Sequence, residues 1–74
     1  MNQQQNTSAC PLTRQELRVM ELSVRGTSVP QIACELQVSI RTVQYHFGNI
    51  YKALKVKDRA SANALCLREG WVSL

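Results

Sequence analysis

No stretch of this 74-residue chain approaches the ~20 consecutive apolar residues that a membrane-spanning helix needs, so no membrane association is expected. The first ten residues lack the apolar core of a secretory signal, and the expected location is the cytoplasm. Histidine occurs once, at His46, and the three cysteines, Cys10, Cys34 and Cys66, contain no Cys-x-x-Cys pair. A zinc finger needs four ligands in closely spaced pairs, so no metal is expected. The cysteines read as reduced thiols, two of them packed as small apolar residues. There is no paired carboxylate, no nucleophile with an adjacent base and no Gly-rich phosphate loop. The expectation is therefore a protein that is not an enzyme, with no cofactor and no small-molecule ligand. The length allows one small domain, which leaves no room for a separate sensor domain and little for a deep cleft.

What the chain does have is positive charge, all of it in one place. The formal net charge is +4. Arg14, Arg18 and Arg25 balance Glu16, Glu21 and Glu35 in residues 1–38, and Arg68 balances Glu69 at the end. The excess falls on residues 39–59, where Arg41, Lys52, Lys55, Lys57 and Arg59 face a single acid, Asp58. A polyanion such as nucleic acid is the natural partner of such a stretch.

Periodicity predicts four helices and no strand. Met1 to Cys10 is Gln- and Asn-rich and reads as a flexible polar tail, with the folded domain at residues 11–74. Thr13 and Glu16 form a capping box, and the helix behind them is expected to run to about Arg25, with Gly26 closing it. Ser28 caps a short second helix, Val29 to Leu36, with Pro30 tolerated in its first turn. Gln37, Val38 and Ser39 link it to a third helix, about Ile40 to Leu54. Ile40, Val43, Phe47, Ile50, Tyr51 and Leu54 fall on its apolar side, and Arg41, Gln44, Tyr45, Gly48 and Lys52 on the other. Asp58 caps a fourth helix, about Arg59 to Glu69, stopped by Gly70.

Two helices joined by three residues, the second presenting a polar row, describe a helix-turn-helix. Such a row fits the ~12 Å major groove of DNA, with hydrogen-bonding tips toward base edges and lysines toward phosphates. The fourth helix carries two apolar groups. Ala62, Leu65 and Cys66 form one, and Ala60, Ala64 and Leu67 form another on a different side. A monomeric surface helix needs only one stripe, so the second stripe either meets a partner or is covered by Trp71 and Val72. Glu16 lies inside the apolar arc of the first helix, and a pair with Arg59 is expected there. His46, at the edge of an apolar arc and without a second ligand or nucleophile, reads as structural.

The string Ile32-Ala33-x-x-Leu36-x-Val38-Ser39-x-x-Thr42-Val43-x-x-His46 resembles the LuxR/NarL-type helix-turn-helix family and its GerE-like, domain-only members. Leu12-Thr13, Glu16, Val19, Gly26, Ser28, Asn49-Ile50, Leu54, Val56, Arg59 and Ala62 extend the resemblance along nearly the whole chain. It implies an all-α, four-helix domain that regulates bacterial transcription as a DNA-binding dimer. The third helix would enter the major groove and the fourth would pair subunits. Family base contacts map to Gln44, Tyr45 and Gly48, and geometry adds Arg41. Gln44 suits adenine and Arg41 guanine, while the Tyr45 ring suits a thymine methyl or a sugar. The resemblance puts Thr42 near the DNA backbone; with it, Ser39, Lys52, Lys55 and Lys57 are the expected backbone contacts. The expected dimer interface is Ala60, Ala64, Leu67 and Arg68. Gly48 stands where a basic or polar residue is frequent, Ala53 where lysine is, and Asn63 where an apolar residue is.

The expected activity is binding of double-stranded DNA at an inverted repeat as a homodimer, with RNA polymerase a further candidate partner. Such a chain is either a stand-alone regulator or the C-terminal part of a longer sensor, and the opening Met1 favours the first. A different class is open as well. A protein-interaction module, an anti-activator, would keep this fold and use its fourth helix to pair with a full-length relative. The thinned DNA face at Gly48 and Ala53 is what such a module would show.

Overall fold

The computed structural model describes residues 9–74, which form four helices: α1 (Arg14–Ser23), α2 (Val29–Leu36), α3 (Ile40–Leu54) and α4 (Arg59–Arg68). No strand occurs among the described residues. Residues 1–8 of the expected flexible tail lie outside the description. Cys10, expected in that tail, is half-buried and packs on the core.

Each helix begins where a short polar side chain satisfies an orphan backbone N–H. The Thr13 Oγ1 accepts from the Glu16 N–H at 3.1 Å, and Glu16 Oε1 accepts from the Thr13 N–H at 3.0 Å. Ser28 and Gln31 repeat this reciprocal box in front of α2. Ser39 Oγ accepts from Thr42 N–H at 3.0 Å, and Asp58 Oδ1 from Ser61 N–H at 2.8 Å. The ends are less uniform. α1 stops at Ser23, two residues before the expected Arg25. Gly26 and Gly70 take left-handed backbone after α1 and α4, as glycine readily does. α2 and α3 end without glycine: Gln37 and Lys55 both adopt φ 58°, a conformation of order 1–3 kcal/mol less favourable for such residues. Each is held by paired bonds back into its helix. Val38 N–H reaches Ala33 O, and Val56 N–H reaches Tyr51 O, both at 3.0 Å.

α3 is the central element and packs against all three others. Val43, Phe47 and Ile50 enter the core beside Val19, Met20 and Ile32. Fully burying side chains of this kind stabilises by ~1.5–3 kcal/mol each, the main source of stability in so small a domain. Ile40, expected on the apolar side, is 46% exposed, because it opens the helix before the first turn reaches the core. Cys66 and Ala62 carry α4 onto the core. Val72 is buried and Trp71 half-buried against that same core.

The expected pair between Glu16 and Arg59 does not form. Glu16 is spent on its cap. Arg59 instead closes the exit of α1, its Nε donating to Ser23 Oγ at 2.7 Å. Its Nη2 donates to Ser23 O at 3.2 Å and to Thr27 O. Ser23 Oγ in turn donates to Asn63 Oδ1 at 2.7 Å, and the guanidinium lies 5.5 Å from the centre of the Phe47 ring. Asn63, on α4 where the family pattern favours an apolar residue, is therefore a polar member of the α1–α4 seam.

Candidate nucleic-acid interface

The expected base-reading residues share the outer face of α3. Arg41, Gln44, Tyr45, Gly48 and Lys52 are all exposed, and Tyr45 is 67% exposed. At 1.5 Å per residue the row from Arg41 to Lys52 spans about 16 Å. That length suits a helix laid into a major groove, and the opposite side of the same helix fills the core. The face is thus fixed by packing.

The expected backbone contacts surround that row. Ser39 is exposed and Thr42 half-exposed, and their hydroxyls lie 3.0 Å apart at the start of α3. Ser39 Oγ accepts the cap bond and the two hydroxyls bond each other, which leaves one O–H donor between them for a partner. Lys52 occupies the last turn of α3, where a cation also suits the helix dipole. Lys55 and Lys57 are exposed in the segment that follows. None of these lysines, nor Arg41, has an ion pair among the described residues, where Arg18–Glu21 and Arg68–Glu69 are the ones formed. Arg59 leaves the charged stretch, because its guanidinium turns into the α1–α4 seam. Asp58 caps α4, and the backbone N–H of Ser61 holds its carboxyl below the usual range.

Gly48 lies within α3 with ordinary helical backbone, and a Cβ built there meets nothing within 4 Å. Glycine costs a helix interior about 1 kcal/mol relative to alanine. Behind the face, His46 is half-buried with its Nε2 buried and without a hydrogen bond, and the Phe47 and Tyr51 rings lie 5.7 Å apart. Burial raises the Tyr51 hydroxyl above its ordinary pKa.

The outer side of α4 differs in kind. Ala60, Ala64, Leu67 and Arg68 are exposed, and Leu67 is 37% exposed. Trp71 and Val72 pack on the core and leave this second apolar stripe open, which removes the alternative in which they cover it. Of the cysteines, Cys66 is buried and Cys34 exposed. Burial, aided by nearby Cys10, pushes the Cys66 thiol up to about 11. Among the described residues no three metal-ligating side chains cluster, and no helix is long and apolar enough to cross a membrane. A shallow depression between the end of α1 and α2, lined by Leu22, Arg25, Gln31 and Glu35, includes none of the expected site residues.

Sequence reasoning missed the Ser23–Arg59–Asn63 seam. Its only signal was a serine at an otherwise apolar position of α1, paired with an asparagine at one of α4.

Residues 10–65 match the family model of GerE, the luxR family of bacterial regulatory proteins. The chain is 40% identical over 63 residues to the spore germination protein GerE of Bacillus subtilis (strain 168), covering 85% of each. It is 36% identical over 63 residues to the transcriptional regulatory protein DegU of Brevibacillus brevis. There the match covers 85% of this chain but 27% of the relative, so the chain spans about a quarter of DegU. The solved structure of the transcription factor GerE superposes with a TM-score of 0.81 at 34% identity, covering 88% of this chain and 97% of that one. A four-helix fold, an exposed polar row on α3 and these matches agree: the chain belongs to the luxR family of bacterial regulatory proteins, and it carries that family's GerE-like DNA-binding domain.

Proposed function

We propose that this domain binds an inverted-repeat site in double-stranded DNA as a homodimer, with one α3 in the major groove of each half-site. Half-sites would lie ~10 bp apart, one turn of the duplex. Arg41, Gln44, Tyr45 and Gly48 meet base edges. Ser39, Thr42, Lys52, Lys55 and Lys57 line the phosphates. Ala60, Ala64, Leu67 and Arg68 form the contact between copies. Bound at a promoter, the dimer raises or lowers transcription by its position relative to RNA polymerase, in the cytoplasm.

The observation that carries this reading is the outer face of α3, five polar or uncovered residues in one row with no core to serve. The exposed stripe on α4 supports the dimer, because it is apolar surface left uncovered by the chain's own end. With only two alanines and one leucine on offer, the dimer without DNA is weak, and DNA completes it by holding two copies side by side.

The test is selection from a random duplex pool at about 150 mM salt, where nonspecific phosphate attraction is reduced. Enrichment of an inverted repeat is the expected result. Gln44→Ala then relaxes preference at one position by ~1–3 kcal/mol. Enrichment of a single half-site would remove the dimer, and enrichment of nothing by a folded protein would turn attention to α4 as a protein-docking helix.

A further inference from the structure

Two of the three glycines have a backbone reason to be glycine. Gly26 and Gly70 sit at φ +83° and +75°, just past helix ends. Gly48 has none. Its backbone is helical, it is exposed, and a side chain there would meet open space. Neither a turn nor a close neighbour within the chain requires glycine, yet glycine weakens a helix interior. A local cost with no structural return, on the face that meets DNA, marks a position shaped for the ligand.

Helical side chains lean toward the N-terminus of their own helix, over the residues three and four places earlier. A side chain at 48 would therefore lie over Gln44 and Tyr45. Its absence leaves a notch on α3 floored by backbone, with Tyr45 and Gln44 before it and Lys52 one turn after it. The bare Gly48 Cα offers apolar surface there, and the exposed Tyr45 ring stands three residues earlier on the same face. The apolar group that a base pair displays in the major groove is the C5-methyl of thymine.

We propose that Gly48 and Tyr45 together seat a thymine C5-methyl group, making position 48 a specificity determinant through the side chain it lacks. The inference rests on the reading that the outer face of α3 enters the major groove. Gln44, beside the notch, would read an adjacent adenine through N6 and N7. The domain thus favours a T and an A at neighbouring positions of each half-site. A cytosine at the seat has no methyl to fill it.

The experiment uses the site enriched from the random pool, with each thymine replaced singly by deoxyuridine, which removes only the methyl. One position per half-site is expected to lose about fourfold in affinity, the worth of one buried methyl group. Gly48→Gln fills the notch with a good helix former. It should raise Tm by roughly 2–6 °C. It should also bind thymine and deoxyuridine sites equally, as should Tyr45→Ala. If Gly48→Gln raises Tm and keeps the fourfold discrimination, the notch has no role. If the pool yields a site with no deoxyuridine-sensitive position, the seat is wrong while the DNA reading stands. If it yields no site, both fall together.

Discussion

The outer faces of α3 and α4 are both uncovered by the fold, but they are built from opposite materials. α3 presents Arg41, Gln44, Tyr45 and Lys52, long side chains with charged or hydrogen-bonding tips. α4 presents Ala60, Ala64 and Leu67, which are short and apolar. A groove lined by base edges and phosphates rewards the first kind of surface. A second copy of the same helix rewards the second, because small residues permit close approach and release water from apolar area. Exposure alone does not separate the two roles. The chemistry of what is exposed does.

Five substitutions or conditions break or sharpen this contrast. Both faces depend on the same core, so Ile50→Ala, at a fully buried position of α3, should remove both at once. The expected loss is about 2–5 kcal/mol, read from thermal unfolding, a large share of what a domain this size holds. Arg59→Met should cost less, roughly 1–3 kcal/mol, since it leaves Ser23 and Thr27 acceptors in the seam without their donor. Its denaturant midpoint checks this. Leu67→Glu addresses α4 alone. The fold should change by no more than about 0.5 kcal/mol. Sedimentation on a two-half-site duplex should show that the second copy no longer binds cooperatively. Lys52→Ala addresses α3 alone. Affinity should fall alike for all sequences, and the slope of log affinity against log salt should drop by about 1. If Leu67→Glu and Lys52→Ala instead act identically on cooperativity and salt slope, the two faces are not distinct.

The smallest effect concerns pH. The Cys66 thiol is protonated in the folded domain up to about 11, against 9.0 when unburied. Below that lower value both states hold the proton and the thiol is neutral to stability. As pH rises from 9 toward 11 the unfolded chain loses its proton first, so stability falls across that window. Tyr51, also raised by burial, acts in the same direction. Melting curves at successive alkaline pH values should show the decline, and Cys66→Ala should flatten it.

Much of this molecule was legible in its sequence because the governing interactions are local. The four helix starts follow from Thr13, Ser28, Ser39 and Asp58, each acting within three residues of itself. The two faces of α3 follow from one period, and the helix bounds at Ile40 and Leu54 match the expectation. The helix-turn-helix and its family resemblance were also readable, since the three-residue link and Val38, which packs against the core, lie in one short segment. What escaped was nonlocal. Arg59 could be placed on α4 but not assigned its partner, and the expected Glu16 proved to be committed to its own cap. Ser23 and Asn63 meet across 40 positions of sequence, and nothing in either residue alone names the other. Gln37 and Lys55 were missed as left-handed caps because neither is glycine; paired backbone bonds back into α2 and α3 hold that conformation. The outer stripe of α4 was visible as a stripe. Whether the chain's own end would cover it depended on where Trp71 and Val72 go, which the structure answers.

The position of Arg59 has a consequence for anyone who would cut this domain down. Every residue proposed to touch DNA lies between Ser39 and Lys57, so a peptide of α2 and α3 looks like a minimal reading head. Such a fragment would end before the guanidinium that ties the exit of α1 to α4 and lies against Phe47, the aromatic anchor of α3. The helix would keep its letters and lose its spine. The smallest transplantable unit therefore extends through α4, and a graft of new specificity belongs on the outer row of α3 within the intact four-helix frame.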